Sequence, residues 1–225
     1  MRDLLTQVFF EWGARLYARK LSWGPEWRLR EQFVEFLPMA HGMSALDVGC
    51  GPGYVARSLA ARGARVIAVD RSRRMARWAA RTARRAGVDG VRFGVAVAER
   101  LPFPDRSFDL TLATTVLYLL PEARTGLGEM LRVTRVGGWV ATLDPAATLN
   151  VETMRAYAAH AALNRRERRQ LLLWAHAAQW YGGFTEEKVV RLYRGLGFEE
   201  VTLAGCLGNL VVFTRGRVPG ERRVE

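Results

Sequence analysis

From Ser44 onward, short apolar runs alternate with longer stretches whose apolar residues recur every three or four positions. The runs "SALDV" (44–48), "RVIAV" (65–69), "VRFGVAV" (91–97), "FDLTLAT" (108–114) and "GWVATLD" (138–144) predict strands. Between them, "GYVARSLAARG" (53–63), residues 71–86 and residues 121–135 predict helices, the first two closed by Gly63 and Gly87. Strands alternating with helices of this length form βαβ units and a parallel sheet. Right-handed crossovers then put helices on both faces, so the fold class is α/β, doubly wound and mostly parallel. After a further helix at 185–197, "FEEVTLAG" and "NLVVFTRG" lie close enough to pair as a hairpin and bring the strands to seven.

Two regions break the alternation. Residues 3–21 and 25–37 predict helices, the second opened by Pro25, and residues 1–40 form an N-terminal helical cap on a main domain at 41–215. Beyond Pro145, residues 148–181 hold two helical stretches with no strand between them. This insertion follows the C-terminal end of a strand, the edge where open α/β sheets bind ligands, and is therefore expected to be a lid. The alternative is a structural decoration of the sheet. Residues 216–225 are expected to be a polar tail.

Composition narrows the class. Hydrophobic residues make up 49% of the 225, enough for a sizeable core. No apolar run approaches the roughly 18–20 residues of a membrane span. The apolar residues of the N-terminus are broken by Asp3, Glu11 and Arg15, unlike a signal peptide, and a cytoplasmic protein is expected. Two cysteines (Cys50, Cys206) and three histidines (His41, His160, His176) form no metal-ligand spacing, so no metal is expected.

The net charge is +12; of 34 basic residues only Lys20 and Lys188 are lysines, and the other 32 are arginines. A nucleic acid is thus one candidate partner. In "RSRRMARWAARTARR" (71–85), however, the arginines surround Met75, Trp78, Ala79 and Thr82 as on a helix with one buried face. A solvated basic surface ranks first, and nucleic acid ranks below a small molecule as partner.

The strongest candidate chemistry lies in "LDVGCGPG" (46–53). A glycine-rich turn between strand and helix lets a ligand approach the backbone closely. The spacing Gly49-x-Gly51-x-Gly53 is not the G-x-G-x-x-G of dinucleotide sites, and no Gly-Lys-Ser/Thr follows as in a P-loop. A carboxylate at Asp47 repels a pyrophosphate but attracts an ammonium and a sulfonium, each pair being worth about 4 kcal/mol at 4 Å before desolvation. Asp70, ending the next strand, suits two ribose hydroxyls; it also suits a helix N-cap, a role Ser72 can share.

These residues resemble the class I S-adenosylmethionine-dependent methyltransferases, and more narrowly the group that includes the ubiquinone/menaquinone-biosynthesis (type 11) methyltransferases. The matching stretches are "LDVGCGPG", "VIAVDRSRRMARWA" (66–79), "AERLPFPDRSFDL" (98–110), "EMLRVTRVGGWV" (129–140) and "LYRGLGFEEV" (192–201), in the family's order. The resemblance implies a seven-stranded Rossmann-like sheet and S-adenosyl-L-methionine as cofactor. It assigns the methionine part to Asp47, Gly49, Gly51 and Gly53, and the ribose to Asp70. Arg71 then lies against the adenine ring, Ala98 and Glu99 at the adenine edge, and Thr114 and Thr115 below the transferred methyl. The family's first helices often cap the pocket, which points to Tyr17 and Trp23. Two departures stand out: Val97 replaces the acidic residue that would accept from the adenine amino group, and "RVGG" (135–138) replaces Pro-Gly-Gly.

The reading that follows is a methyltransferase acting on a small or medium-sized organic molecule by in-line transfer. Such chemistry needs alignment more than a base, and no catalytic residue is secure. The weak candidates are Asp144, Tyr118, His160 and His176. The alternative, motivated by Val97, is a methyltransferase-fold protein that binds cofactor or RNA without catalysis. A dinucleotide-dependent oxidoreductase ranks third.

Overall fold

The structure, a computed structural model, describes residues 25–220. Its elements are α1 (Pro25–Phe36), β1 (Ser44–Val48), α2 (Tyr54–Ala61), β2 (Arg65–Asp70), α3 (Arg73–Arg85), β3 (Val91–Val95), β4 (Phe108–Thr114), a 3-10 turn (Leu117–Leu119), α4 (Ala123–Val133), β5 (Thr134–Pro145), α5 (Val151–His160), α6 (Arg165–Tyr181), α7 (Glu186–Arg194), β6 (Glu199–Cys206) and β7 (Val211–Arg217). The helix expected at 3–21, and Tyr17 and Trp23 with it, lie outside the described residues.

The seven strands form one sheet in the order β3-β2-β1-β4-β5-β7-β6, with β1 to β5 parallel and β7 antiparallel to both β5 and β6. Side chains alternate across each strand. Ala45, Leu110, Leu112, Leu143 and Phe213 enter the core beneath α1, α2 and the inserted helices. Their neighbours Leu46, Ala113, Val140 and Val212 enter the other core, beneath α4 and α7. The sheet is thus doubly wound, as the alternation predicts. The β3–β4 connection is a loop, gathered by Arg132: its guanidinium donates to the carbonyls of Leu101 (3.0 Å) and Phe103 (2.8 Å) and to Asp105 (2.7 Å). Glu129, paired with Arg132, accepts from the Leu101 amide.

Element ends differ from the periodicity in three places. The third strand stops at Val95, and Val97 makes only an isolated bridge to Arg100. The fifth starts at Thr134, inside the stretch predicted as helix, because Thr134 pairs with Phe108 across a register irregularity. The tail expected from 216 starts later: β7 runs to Arg217 and Val218 is buried.

The insertion is a closed excursion. Phe184 N donates to Pro145 O and Ala147 N to Phe184 O, both at 2.9 Å, so its two ends meet as neighbours. α5 and α6 each start on an asparagine, Asn150 and Asn164, with a reciprocal capping box. Met154, Leu171 and Ala175 are fully buried in the core shared with α1, and Arg28 of α1 pairs with Glu167 of α6 at 3.1 Å. At the end of the insertion Tyr181 lines a cleft, and its neighbour Trp180 is 79% exposed. Among the described residues, no helix is long and apolar enough to cross a membrane.

Candidate functional site

Between β1 and β4 the strand order reverses, and α/β sheets open a crevice at such a point, outside the carboxyl ends of the strands. Here the crevice is walled by Gly49–Pro52 after β1, Asp70 and Arg71 at the end of β2, Ala96–Glu99 after β3, and Thr114–Val116 after β4. One cleft therefore brings together Gly49, Gly51, Asp70, Arg71, Ala98, Glu99, Thr114 and Thr115.

The three glycines have three environments. Gly51, at φ +52°, has open space where a side chain would start. It is the position at which backbone is bared to the cleft. At Gly49 a Cβ would strike Val116. Gly53 faces away from the cleft, packs against Phe93 and Ala79, and leads into α2.

Asp70 organises the loop. Its carboxylate accepts from the amides of Gly51 and Ser72, both at 2.8 Å. Ser72, not Asp70, caps α3, with its hydroxyl accepting from Met75 N. The capping role thus falls to Ser72, while Asp70 lines the cleft.

Asp47 sits beneath the loop rather than in the cleft wall. It is 1% exposed, and neither carboxylate oxygen has a hydrogen-bond partner of normal geometry. Burial, and then the charge of Asp70, push its pKa up to about 7; the Ala56 amide and the Arg30 guanidinium pull the other way. The Cys50 thiol, buried beside both carboxylates, is pushed well above its usual range.

Arg30 and the apolar walls Tyr54, Met75, Leu119 and Leu120 complete the cleft and were not singled out from sequence. Arg30 had a signal. It falls in the spacing 30, 33, 34, 37 with Phe33, Val34 and Leu37, all buried, and an arginine on an apolar stripe calls for a partner.

The four weak catalytic candidates separate. Asp144 is 2% exposed at the end of β5. Burial raises its pKa to about 7, against the amides of Tyr118 and Leu117 and the Thr142 hydroxyl. It holds the 3-10 turn after β4, accepting from Tyr118 N at 3.4 Å. Tyr118 lines a second cleft, edge-to-face with Tyr181 at 6.1 Å. This second cleft shares Leu119 and Leu120 with the first and is rimmed by Arg124, Lys188 and Arg191. His160 and His176 do not join either cleft. Both are exposed, because the helical phase that buries Met154 and Ala175 turns them outward, and His160 Nδ1 lies 3.0 Å from Ala156 O in its own helix. No cluster of metal-ligating side chains occurs among the described residues.

Comparison with known proteins agrees with this geometry. Residues 46–142 match a family model described as a methyltransferase domain. The chain is 38% identical over 135 residues to methyltransferase GfsG of Streptomyces halstedii, covering 56% of this chain and 49% of that protein. It is 37% identical over 123 residues to a demethylmenaquinone methyltransferase of Thermobifida fusca, covering 55% and 52%. The chain thus spans about half the length of these relatives. The solved magnesium protoporphyrin IX methyltransferase of Synechocystis PCC 6803 superposes with a TM-score of 0.70 at 15% identity, over 96% of this chain and 99% of that one. Residues 46–142 are thus similar to a methyltransferase domain, and the chain shares its seven-stranded fold with the solved enzyme.

Proposed function

We propose that the protein is an S-adenosylmethionine-dependent methyltransferase acting on a small or medium-sized organic molecule. The observation that carries this reading is the bared Gly51 backbone, held by Asp70 at the mouth of the crevice above the buried Asp47. A buried carboxylate at Asp47 beneath a glycine turn, with Asp70 at the turn's rim, suits a cationic amino-acid group and a ribose and opposes a pyrophosphate. The solved relative was crystallised with S-adenosylhomocysteine bound, which supports the same cofactor here.

In this reading Gly49 and Gly51 hold the methionine part, and Asp47 beneath them supplies negative charge under its ammonium. Asp70 holds the ribose; a carboxylate offers about four acceptor sites, more than two amides use. Arg71, Ala98 and Glu99 line the adenine end. The bound cofactor supplies an electrophilic methyl on a sulfonium. Thr114 and Thr115 shape the floor beneath it, and the Leu119–Leu120 wall aligns an acceptor entering by the second cleft. Alignment at about 3–3.5 Å supplies on the order of 7–11 kcal/mol of the barrier without a base. Asp144 acts as a positioning residue by holding the 3-10 turn that carries this wall.

Titration calorimetry with S-adenosylmethionine, S-adenosylhomocysteine and NAD tests the assignment. The first two are expected to bind in the micromolar range and NAD not at all; NAD binding alone overturns the reading. Asp47→Asn is expected to weaken S-adenosylmethionine roughly tenfold or more, and an unchanged dissociation constant removes the charge argument.

A further inference from the structure

We propose that Arg30 clamps the ligand's carboxylate in the first cleft and, with Asp47, makes a socket selective for a ligand that ends in a free α-amino acid. The proposal rests on the S-adenosylmethionine reading above and adds what holds the carboxylate of its methionine part. Arg30 is 8% exposed, and among the described residues it is the one buried arginine. It lines the cleft from α1, a helix that precedes the stretch matched to the methyltransferase domain. Its neighbours hold it in place. Glu31 accepts from Ser58 Oγ and pairs with Arg62, both at 2.9 Å, which ties α1 to α2. Arg28 pairs with Glu167 of α6, and Leu29 and Phe33 are buried in the core.

A buried arginine near a buried aspartate is ordinarily an ion pair. This one is not closed. Arg30 is near enough for its charge to favour ionised Asp47, yet neither Asp47 oxygen has a hydrogen-bond partner. The two opposite charges thus stand near each other without bonding. An α-amino acid carries the complementary pair, an ammonium and a carboxylate on the same carbon. The glycine turn is poorly equipped to take that carboxylate instead. Cys50 N donates to Val69 O at 2.9 Å, Gly51 N to Asp70 at 2.8 Å and Gly53 N to Cys50 O at 2.9 Å. Pro52 has no N–H to give. The turn therefore offers room more than donors. The other charged side chains lining the cleft are Asp70, Arg71 and Glu99. Asp70 and Glu99 repel a carboxylate, and Arg71 stands beyond Asp70, where the same reading puts the adenine. A guanidinium carries several N–H donors in a fork that matches a carboxylate. Arg30 can therefore keep its contacts within the fold and still present that fork to the ligand.

The test is calorimetry of the full chain with S-adenosylmethionine, decarboxylated S-adenosylmethionine and methylthioadenosine. The decarboxylated compound lacks only the carboxylate and is the more positive ligand, so Asp47 and Asp70 alone would make it the tighter binder. With Arg30 as clamp, S-adenosylmethionine is expected to bind at least about tenfold tighter than the decarboxylated compound. Arg30→Gln is expected to weaken S-adenosylmethionine by about ten- to a hundredfold and to bring the ratio to about one or below. The decarboxylated compound and methylthioadenosine, which lacks the whole amino-acid end, are expected to change by less than about threefold. Arg30→Lys keeps the charge without the fork and is expected to fall between parent and Arg30→Gln. Equal affinity of the parent chain for S-adenosylmethionine and its decarboxylated form overturns the proposal even if Arg30→Gln fails to fold. Equal losses for all three ligands in Arg30→Gln overturn it too, by showing a collapsed cleft. In both cases S-adenosylmethionine still binds the parent chain and the cofactor reading stands; binding of none of the three removes that reading and the clamp together.

Discussion

Asp47 and Asp144 are carboxylates enclosed by protein whose pKa values rise to about 7. In the unfolded chain both titrate near 3.9. Between these values the folded state holds more protons than the unfolded one, so stability falls as pH rises from about 4 to 7 and levels off above. Each group contributes on the order of 2–4 kcal/mol to this fall. Urea midpoints of the ligand-free protein at pH 5 and pH 8 are expected to show it, and Asp144→Asn, which keeps an acceptor for Tyr118 N, is expected to shrink the difference. A midpoint that rises with pH contradicts the assignment. Val97 offers a gain instead. It is 42% exposed on the cleft wall, where the family resemblance expects a carboxylate. Val97→Asp is expected to tighten S-adenosylmethionine binding by about ten- to a hundredfold, the worth of one charged hydrogen bond, as read by calorimetry. The motif was legible letter by letter, but its division of labour was not. Gly49, Gly51 and Gly53 look equivalent in the sequence, and only the packing of Val116 and Phe93 tells them apart.

Among the elements, those set by local pattern were the most legible. β4 runs from Phe108 to Thr114, as its alternation predicts, and α5 and α6 fall within the insertion read from 148 to 181. The start of β5 was hidden, because Thr134 owes its extended form to a pairing with Phe108 that local periodicity does not see. The insertion's role was hidden for the same reason: an apolar helical stripe has the same spacing whether it closes over a ligand or joins a core. Met154 and Leu171, both fully buried with α1, give the measurable distinction. Truncation of either to alanine is expected to lower unfolding free energy by about 2–5 kcal/mol. Loss of turnover with unchanged stability would instead indicate a hinged cover.

At the scale of the molecule, the doubly wound sheet and its crevice follow from the order of strands, helices and turns, and so were readable in advance. The second cleft was not, because it joins residues near 118 to residues near 182 that have no sequence relation. The distribution of charge was equally invisible: the sequence counts arginines but does not say which of them find carboxylates.

The joined ends of the insertion carry one more consequence. Since Pro145, Ala147 and Phe184 already close the loop at its base, the length of chain between them weighs little on the sheet. Doubling a loop costs only about 0.6 kcal/mol of closure entropy. The segment is therefore exchangeable cargo on a fixed socket. Substrate preference can diverge by trading one excursion for another, provided each newcomer still presents an apolar side to α1, while the glycine turn and its carboxylates stay as they are.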